Sequence, residues 1–435
     1  MAQFRKDTHQ YLADGTTIFE VMMLADQYGN LVGPANPSGM AVDAFGRARM
    51  STPMTLFDSS HRYRDNNLWV TSNTATATYA FSTNEGLVNL NVDTTLNAEI
   101  IRETTKVFSY QPGKSLQSMN TFVMGAAKAG LRQRVGYFGA NNGYYLERDG
   151  TSISFVERSY VTGSPQETRV LQSDWSLDKL DGNGPSGLTL NLANAQILFT
   201  DIEWLGVGTV RMGFVINGQF IHCHSFHHAN LLTSTYITTG SLPLRYEIKN
   251  TTATASSSTL KQICSTVISE GGYQLAGLQQ AVGTPIGSPR DLTTVNTYYP
   301  LISLRLKTSP NRLDAIAILT AISLIGITNN ANYNWQVVAT GTTTGGTWVS
   351  AGTDSAVEYN ITGTSFTGGR ILASGWTNGS NQGSTPVDIL KEALFAFQLE
   401  RNSLTSTPFE LSLIAAADSA GADMYASMDW EEVSR

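Results

Sequence analysis

The stretch Val207–His228, VGTVRMGFVINGQFIHCHSFHH, decides the fold, because Asn217-Gly218 divides two runs with strand-like alternation. Asn-Gly accepts the positive φ angles of a type I′ turn, so Val207 to Ile216 and Gln219 to Phe226 are expected to pair as a β-hairpin. The second run and the two residues after it hold four of the chain's six histidines and one of its two cysteines. Alternation is expected to put Phe220, His222, His224 and Phe226 on one face and Ile221, Cys223, Ser225 and His227 on the other. His222 and His224 are then the candidate metal ligands, since an His-x-His pair on one strand can grip a cation. Zinc requires three or four ligands, and the third would have to come from another strand. The competing reading is a set of histidines that hydrogen-bond within a structural sheet.

Similar punctuation recurs along the chain. Asp14-Gly15, Asn142-Gly143, Asp149-Gly150 and Gly345-Gly346 separate short runs rich in Val, Ile, Thr, Tyr and Phe. Amphipathic helical patterns are scarce, so the expected fold class is all-β: antiparallel, jelly-roll-like β-sandwich domains preceded by an extended N-terminal arm. Residues 256–269 fit a short helix or a strand, and Lys391 to Leu399 alternates as a strand would although its residue types tolerate a helix, a strand being favoured. The longest apolar run, Ala315 to Ile327, has 13 residues interrupted by Thr320 and Ser323. That is short of the about 20 needed to cross a membrane, and a buried strand pair is expected there.

Composition shifts divide the chain into three parts. Residues 1–74 are rich in Gly, Pro and Asn and carry Arg47, Arg49, Arg62 and Arg64 close together. They are expected to form a docking arm whose arginines meet carboxylates on a neighbouring subunit, the alternative being a looped edge of the main domain. Residues 75–300 are densest in strands and are expected to form a central β-sandwich domain. Residues 301–435 are expected to form a smaller C-terminal β-domain, with Trp335, Trp348 and Trp376 as candidate glycan-stacking aromatics.

Charged residues make up only 14% of the chain, against roughly 25% in ordinary soluble domains. The formal net charge of −7, with no long Lys/Arg run, argues against a nucleic-acid partner. No motif implies a cofactor. The N-terminal MAQFRKDTHQY lacks the apolar core of a signal peptide, and Cys223 and Cys264 lie in no CxxC pattern. Both thiols are expected to be reduced and buried in a protein made in a cytoplasm.

For catalysis, Asp201 and Glu203 stand two apart on an expected strand, where their carboxyls would lie about 7 Å apart on one face, within the inverting-glycosidase range. Such pairs are also common on solvent faces. Asp174, Asp178, Asp181 and Asn183 form an oxygen-rich run, but Lys179 occupies the place of the EF-hand turn glycine, so an Asx-rich turn is expected rather than a calcium loop. Tyr144 and Tyr145 are adjacent, so on a strand they point to opposite faces and one belongs to the core.

Several stretches are familiar as strings: AVDAFGRARMSTPMTLFDSSHRYRDNNLW, RVGYFGANNGYYLERDGTSISFVERS, QILFTDIEWLGVGTVRMGFVINGQFIHCHSFHHAN and SLPLRYEIKN. Together they cover roughly residues 40 to 270 and resemble virion proteins of tailed bacteriophages, notably those of aquatic and cyanobacterial hosts. The resemblance implies a non-enzymatic particle component made in the host bacterial cytoplasm: a capsid decoration protein, or a tail, baseplate or fibre protein. It carries no catalytic residue over. Its implied partners are other virion proteins and further copies of itself in a homo-oligomer, with no membrane. A host-glycan-binding adsorption protein is the alternative, and a polysaccharide depolymerase using Asp201 and Glu203 ranks third.

Overall fold

The computed structural model describes residues 9–11, 18–20, 24–25, 31–32, 52–74, 76–271, 277–379 and 398–434. The chain divides into two units, Met1–Thr52 and Pro53–Arg435. In the first, strand β1 (His9–Tyr11) pairs with β2 (Ile18–Glu20), and β3 (Leu24–Ala25) pairs with β4 (Leu31–Val32). The second unit contains two bodies, each with its own apolar core. Among the described residues there is no α-helix, and one 3-10 turn lies at Gln172–Asp174.

The first body begins with β5 (Pro53–Ser60), β6 (Trp69–Asn73), β7 (Thr78–Ser82), β8 (Leu87–Val92) and β9 (Glu99–Thr104). It continues with β10 (Ser115–Val123), β11 (Leu131–Phe138), β12 (Gly143–Asp149), β13 (Ser152–Ser159) and β14 (Gln166–Leu171). It ends with β15 (Gln196–Ile202), β16 (Val210–Ile216), β17 (Gln219–Phe226), β18 (Leu244–Asn250) and β19 (Ser258–Glu270). One sheet runs β17-β16-β15-β10-β19-β8-β7, with β5 also on β19, and the other runs β14-β13-β12-β11-β18-β9-β6. All the pairings are antiparallel, and the chain passes repeatedly from one sheet to the other, as at β8–β9, β9–β10, β10–β11 and β18–β19. This is an antiparallel, jelly-roll-like β-sandwich. Its inner faces bring Leu90, Phe122, Val135, Phe155, Phe214 and Tyr246 into one core.

The second body contains β20 (Leu278–Gly283), β21 (Arg290–Leu292), β22 (Tyr299–Leu306), β23 (Ile316–Gly326), β24 (Asn332–Thr344) and β25 (Val349–Ser350). Then come β26 (Val357–Asn360), β27 (Ser365–Thr367), β28 (Arg370–Asn378), β29 (Glu410–Ala417) and β30 (Ala422–Ser434). The sheet β25-β26-β22-β29-β24-β27, with β28 on β24, packs against β20-β30-β21, with β23 on β30. The two bodies meet where Lys106 pairs with Glu400 at 2.7 Å and the Ser403 hydroxyl donates to the Thr104 carbonyl.

Several expectations change. The arm boundary at residue 74 is too late, because β5 and β6 are integral strands of the first sandwich and pair with β19 and β9. The boundary at residue 300 is also too late, because β20 and β21 pair with β30 in the second body. Ala315 to Ile327 holds one long strand, β23, rather than a strand pair, since its partner β30 lies a hundred residues on and no turn is needed. The ambiguous 256–269 run is strand β19, held on both sides by β10 and by β5 and β8. Of Lys391 to Leu399, only Gln398 and Leu399 are described, and Gln398 bridges to Ile318.

Inside the first sandwich lies a buried cation. Arg102, on β9, is 1% exposed, and a guanidinium so placed must be fully hydrogen-bonded. It donates to Gln262 on β19 at 2.6 Å, to Thr71 on β6 at 2.7 Å, and to Asp65 in the loop between β5 and β6. The Trp69 and Tyr79 rings flank it, with centroids 5.9 and 5.5 Å from the guanidinium carbon. The neighbouring Tyr246 hydroxyl reaches Ser265 at 2.8 Å, adding a second polar tie from sheet to sheet.

Asp65→Ala should therefore leave an uncompensated charge in the core. The expected loss in denaturant unfolding is roughly 2 kcal/mol, less than for a fully buried pair because the Asp65 side chain keeps 31% exposure. The Asp65→Ala/Arg102→Met double variant should recover part of that loss. Equal destabilisation in the single and double variants would rule out the buried charge as the cause.

Candidate functional site

The hairpin forms as its sequence requires, with Asn217 and Gly218 at φ 53° and 75° joining β16 to β17. The histidine geometry differs from simple alternation. Gly213 pairs with His222 while the preceding Met212 pairs with His224, so Cys223 is an extra, bulged residue. Opposed residues share a face, so His224 lies on the side of the core residue Met212 and His222 on the other side. His222 accordingly packs edge-on against Phe199 at 5.0 Å, whereas His224 packs against the core residue Phe226 at 4.6 Å. The shared face expected for a His222–His224 metal pair is thus broken. Among the described residues no group of three or more His, Cys, Asp or Glu side chains is placed to hold a metal ion.

Gly213 makes the bulge sterically feasible: a Cβ there would stand 2.0 Å from the Ile221 carbonyl oxygen. A glycine inside a strand was the sequence signal for this irregularity. Cys223 is fully buried and its thiol is pushed up by burial, while Cys264 is exposed, contrary to the expectation of two buried thiols.

The histidine with the most elaborate surroundings is His228, just past the strand. Its ring stacks on Tyr236 at 3.9 Å and 10°, and its Nε2 lies 2.7 Å from the Glu157 carboxylate on β13. Its Nδ1 bonds the Gly208 carbonyl, and the Tyr144 hydroxyl donates to the same Glu157 oxygen. His227 is exposed, 3.3 Å from the Thr209 hydroxyl. Sequence reasoning missed the Glu157 partnership because the two residues are 71 positions apart.

The tryptophans do not converge. Trp335 is 3% exposed in the second core, where Gly375 opposite it leaves room for the indole. It is therefore a packing residue and not a glycan platform. Trp348 is half-buried under the Arg305 guanidinium, 3.9 Å from its ring centroid. Trp376 is 72% exposed on β28, directly opposite Asn334 of β24. Beside it the Tyr298 hydroxyl donates to the Asn334 side-chain oxygen at 2.6 Å and accepts from the Gln336 amide at 2.8 Å. An open indole next to two ordered amides can stack on a sugar ring and hydrogen-bond its hydroxyls.

Of the four candidate interface arginines, Arg62 and Arg64 are exposed in the loop between β5 and β6, and Arg47 and Arg49 lie outside the described residues. Asp201 is paired with Arg211 across the β15–β16 ladder, and Glu203, beyond the end of β15, accepts the Thr209 amide at 3.4 Å. Asp178 is 3% exposed and its two oxygens accept the Leu180 and Ser186 amides at 2.9 and 2.8 Å, so this run is built of Asx turns. Tyr144 and Tyr145 do face opposite sides: Tyr144 belongs to the sandwich core, and Tyr145 lies beneath Arg134 and Arg158.

Those two arginines belong to a charged face on the outer side of β9, β11, β12, β13 and β18. Arg134 pairs with Glu147 at 2.7 Å and Glu247 at 3.3 Å, Arg245 with Glu247 at 3.0 Å and Glu103 at 3.4 Å, and Arg158 with Glu167 at 2.7 Å. Most of these side chains are nearly fully buried, and opposed residues in the ladder carry opposite charge. Burial alone would raise the Glu167 carboxyl, but the Arg134 charge and bonds from Tyr145 and Arg158 hold it at about 2.

No family model and no curated protein matches the sequence. Among solved structures, the chain is similar to the CBM2 module of an evolved Dit protein of Lactobacillus casei BL23 phage J-1, at 8% identity and TM-score 0.35, over 52% of this chain and 100% of that one. It is also similar to arcelin-5, a lectin-like defence protein from Phaseolus vulgaris, at 7% identity and TM-score 0.31, over 51% and 100%. A carbohydrate esterase from the Shiga toxin-encoding bacteriophage phi24B matches at 12% identity and TM-score 0.31, over 51% and 100%.

The His228 contacts have a pH signature. Burial lowers its pKa, but the Glu157 and Gly208 hydrogen bonds and the Glu157 charge outweigh it, so the net shift is upward from 6.5. A raised folded-state pKa contributes stability that is complete below about 6.5 and is lost as pH rises through the folded value. Thermal melts of the wild type should therefore fall between pH 6 and 8 relative to His228→Gln. Parallel pH profiles for the two proteins would contradict the assignment.

Proposed function

We propose that this chain is a non-catalytic structural component of a tailed-phage particle, assembled through broad contacts with other virion proteins and with copies of itself. The resemblance of residues 40 to 270 to virion proteins supplies the context. The observation that carries the reading is a buried charged ladder in the first sandwich, where Arg134, Arg245, Glu103, Glu147 and Glu247 pair with one another and are nearly fully buried. In a chain with only 14% charged residues, that withdraws several of them from the surface. Such a surface is inexpensive to desolvate over a large interface, which suits permanent assembly. The carboxylates that a depolymerase would use are engaged: Asp201 by Arg211 and Glu203 by a backbone amide.

Mass spectrometry of purified particles should find the protein at structural copy number, and sedimentation of the isolated chain should show an oligomer at micromolar concentration. Absence from the particle, together with a monomer at every concentration, would overturn the proposal.

A second reading is favoured by the Trp376 face, which has the composition of a sugar-binding surface. On this reading the second body recognises a host glycan through Trp376, Asn334 and Gln336. A glycan array probed with the full chain should show selective binding that Trp376→Ala weakens at least tenfold, the scale of a lost stacking contact. A flat array, or binding indifferent to Trp376→Ala, would remove this reading.

A further inference from the structure

Between the two bodies of the second unit lies a cleft of about 230 Å³, walled by Tyr110 and Trp204 on one side and by residues 311–315 on the other. It is smaller than the ~300–1,000 Å³ typical of drug-sized sites and offers room for one sugar unit rather than a long chain. The half-buried Trp204 is held in place: its indole N–H donates to the Ile237 carbonyl at 3.2 Å, its backbone N–H donates to the Tyr110 hydroxyl, and the two rings meet edge-on at 5.7 Å. Gly240 keeps the backbone close against both rings, since a Cβ there would lie 3.1 Å from Trp204 and 3.2 Å from Tyr110.

The polar groups of the cleft lean one way. The hydroxyl oxygens of Thr238, Thr239 and Ser241 already accept hydrogen bonds, from the Asn142 amide and from the backbone amides of Ser241 and Tyr110. Their hydrogens have no acceptor among the described residues and are free to donate. Arg312 lines the cleft, is half-buried, and its guanidinium has no ion-pair partner among the described residues. The cleft's carboxylate, Asp314, is neutralised by Arg401 at 3.1 Å. An aromatic wall, three hydroxyl donors and an unpaired guanidinium form a site that lacks an anion.

We propose that this cleft binds a sugar carrying an anionic group, a hexuronate or equivalent acidic unit, with the ring against Trp204 and the anionic group on Arg312. The planar guanidinium takes a carboxylate in a two-point contact, and the hydroxyls donate to the remaining sugar oxygens. The site is independent of the Trp376 face and of the reading that rests on it.

The test is calorimetric titration of the full chain with a galacturonate disaccharide, a neutral glucose disaccharide and inorganic phosphate, in low and moderate salt. The galacturonate disaccharide should bind, the neutral sugar should bind at least tenfold more weakly, and Arg312→Gln should reduce uronate affinity at least tenfold while leaving the melting temperature unchanged. Trp204→Phe, which keeps the core filled, should weaken the uronate and leave phosphate unaffected. Trp376→Ala should leave uronate binding intact, which separates this site from the sugar-binding reading above. Equal affinity for uronate and phosphate, uronate binding indifferent to Arg312→Gln, or no uronate binding would overturn the proposal.

Discussion

The first sandwich is organised around a positive charge that cannot reach water. Arg102 projects between the two sheets, and its guanidinium is tolerable there only because Asp65, Thr71 and Gln262 come to it from three different parts of the chain. That requirement ties the loop between β5 and β6, the strand β6 and the far strand β19 into one body. It explains why the loop after β5 and the strand β6 belong to the sandwich. A docking arm that ended at residue 74 would strand the cation without its carboxylate.

The same logic operates on the outer side of the second sheet, where arginines and glutamates alternate across four adjacent strands and cover the rings of Phe138 and Tyr145. Antiparallel register places each charge opposite its complement, so the pairs need no long side-chain search. Ion pairs of this kind specify one register, because a one-residue slip would set charges against apolar neighbours. They also withdraw these charges from the surface.

The histidine run shows how a single local irregularity redirects chemistry. Read as an unbroken strand, IHCHSFHH puts His222 and His224 side by side; the bulge at Cys223 turns them to opposite faces and leaves His228 to find Glu157. The tryptophans show the same divide. Trp335 and Trp376 sit on facing strands of one sheet, yet one fills the core and the other faces solvent, because β24 and β28 present opposite sides at those positions.

Local chemistry in the sequence determined the all-β class, the Asn217-Gly218 hairpin, the Asx turns around Asp178 and the opposed faces of Tyr144 and Tyr145. Each depends on backbone preference or period-2 alternation within a few residues. The tertiary structure alone decided where the sandwich starts, which long-range partners hold Arg102 and His228, and how Tyr110, Trp204 and Arg312 come to line one cleft. Those outcomes depend on pairings between strands tens to hundreds of residues apart, and no local pattern encodes which distant strand will supply the partner.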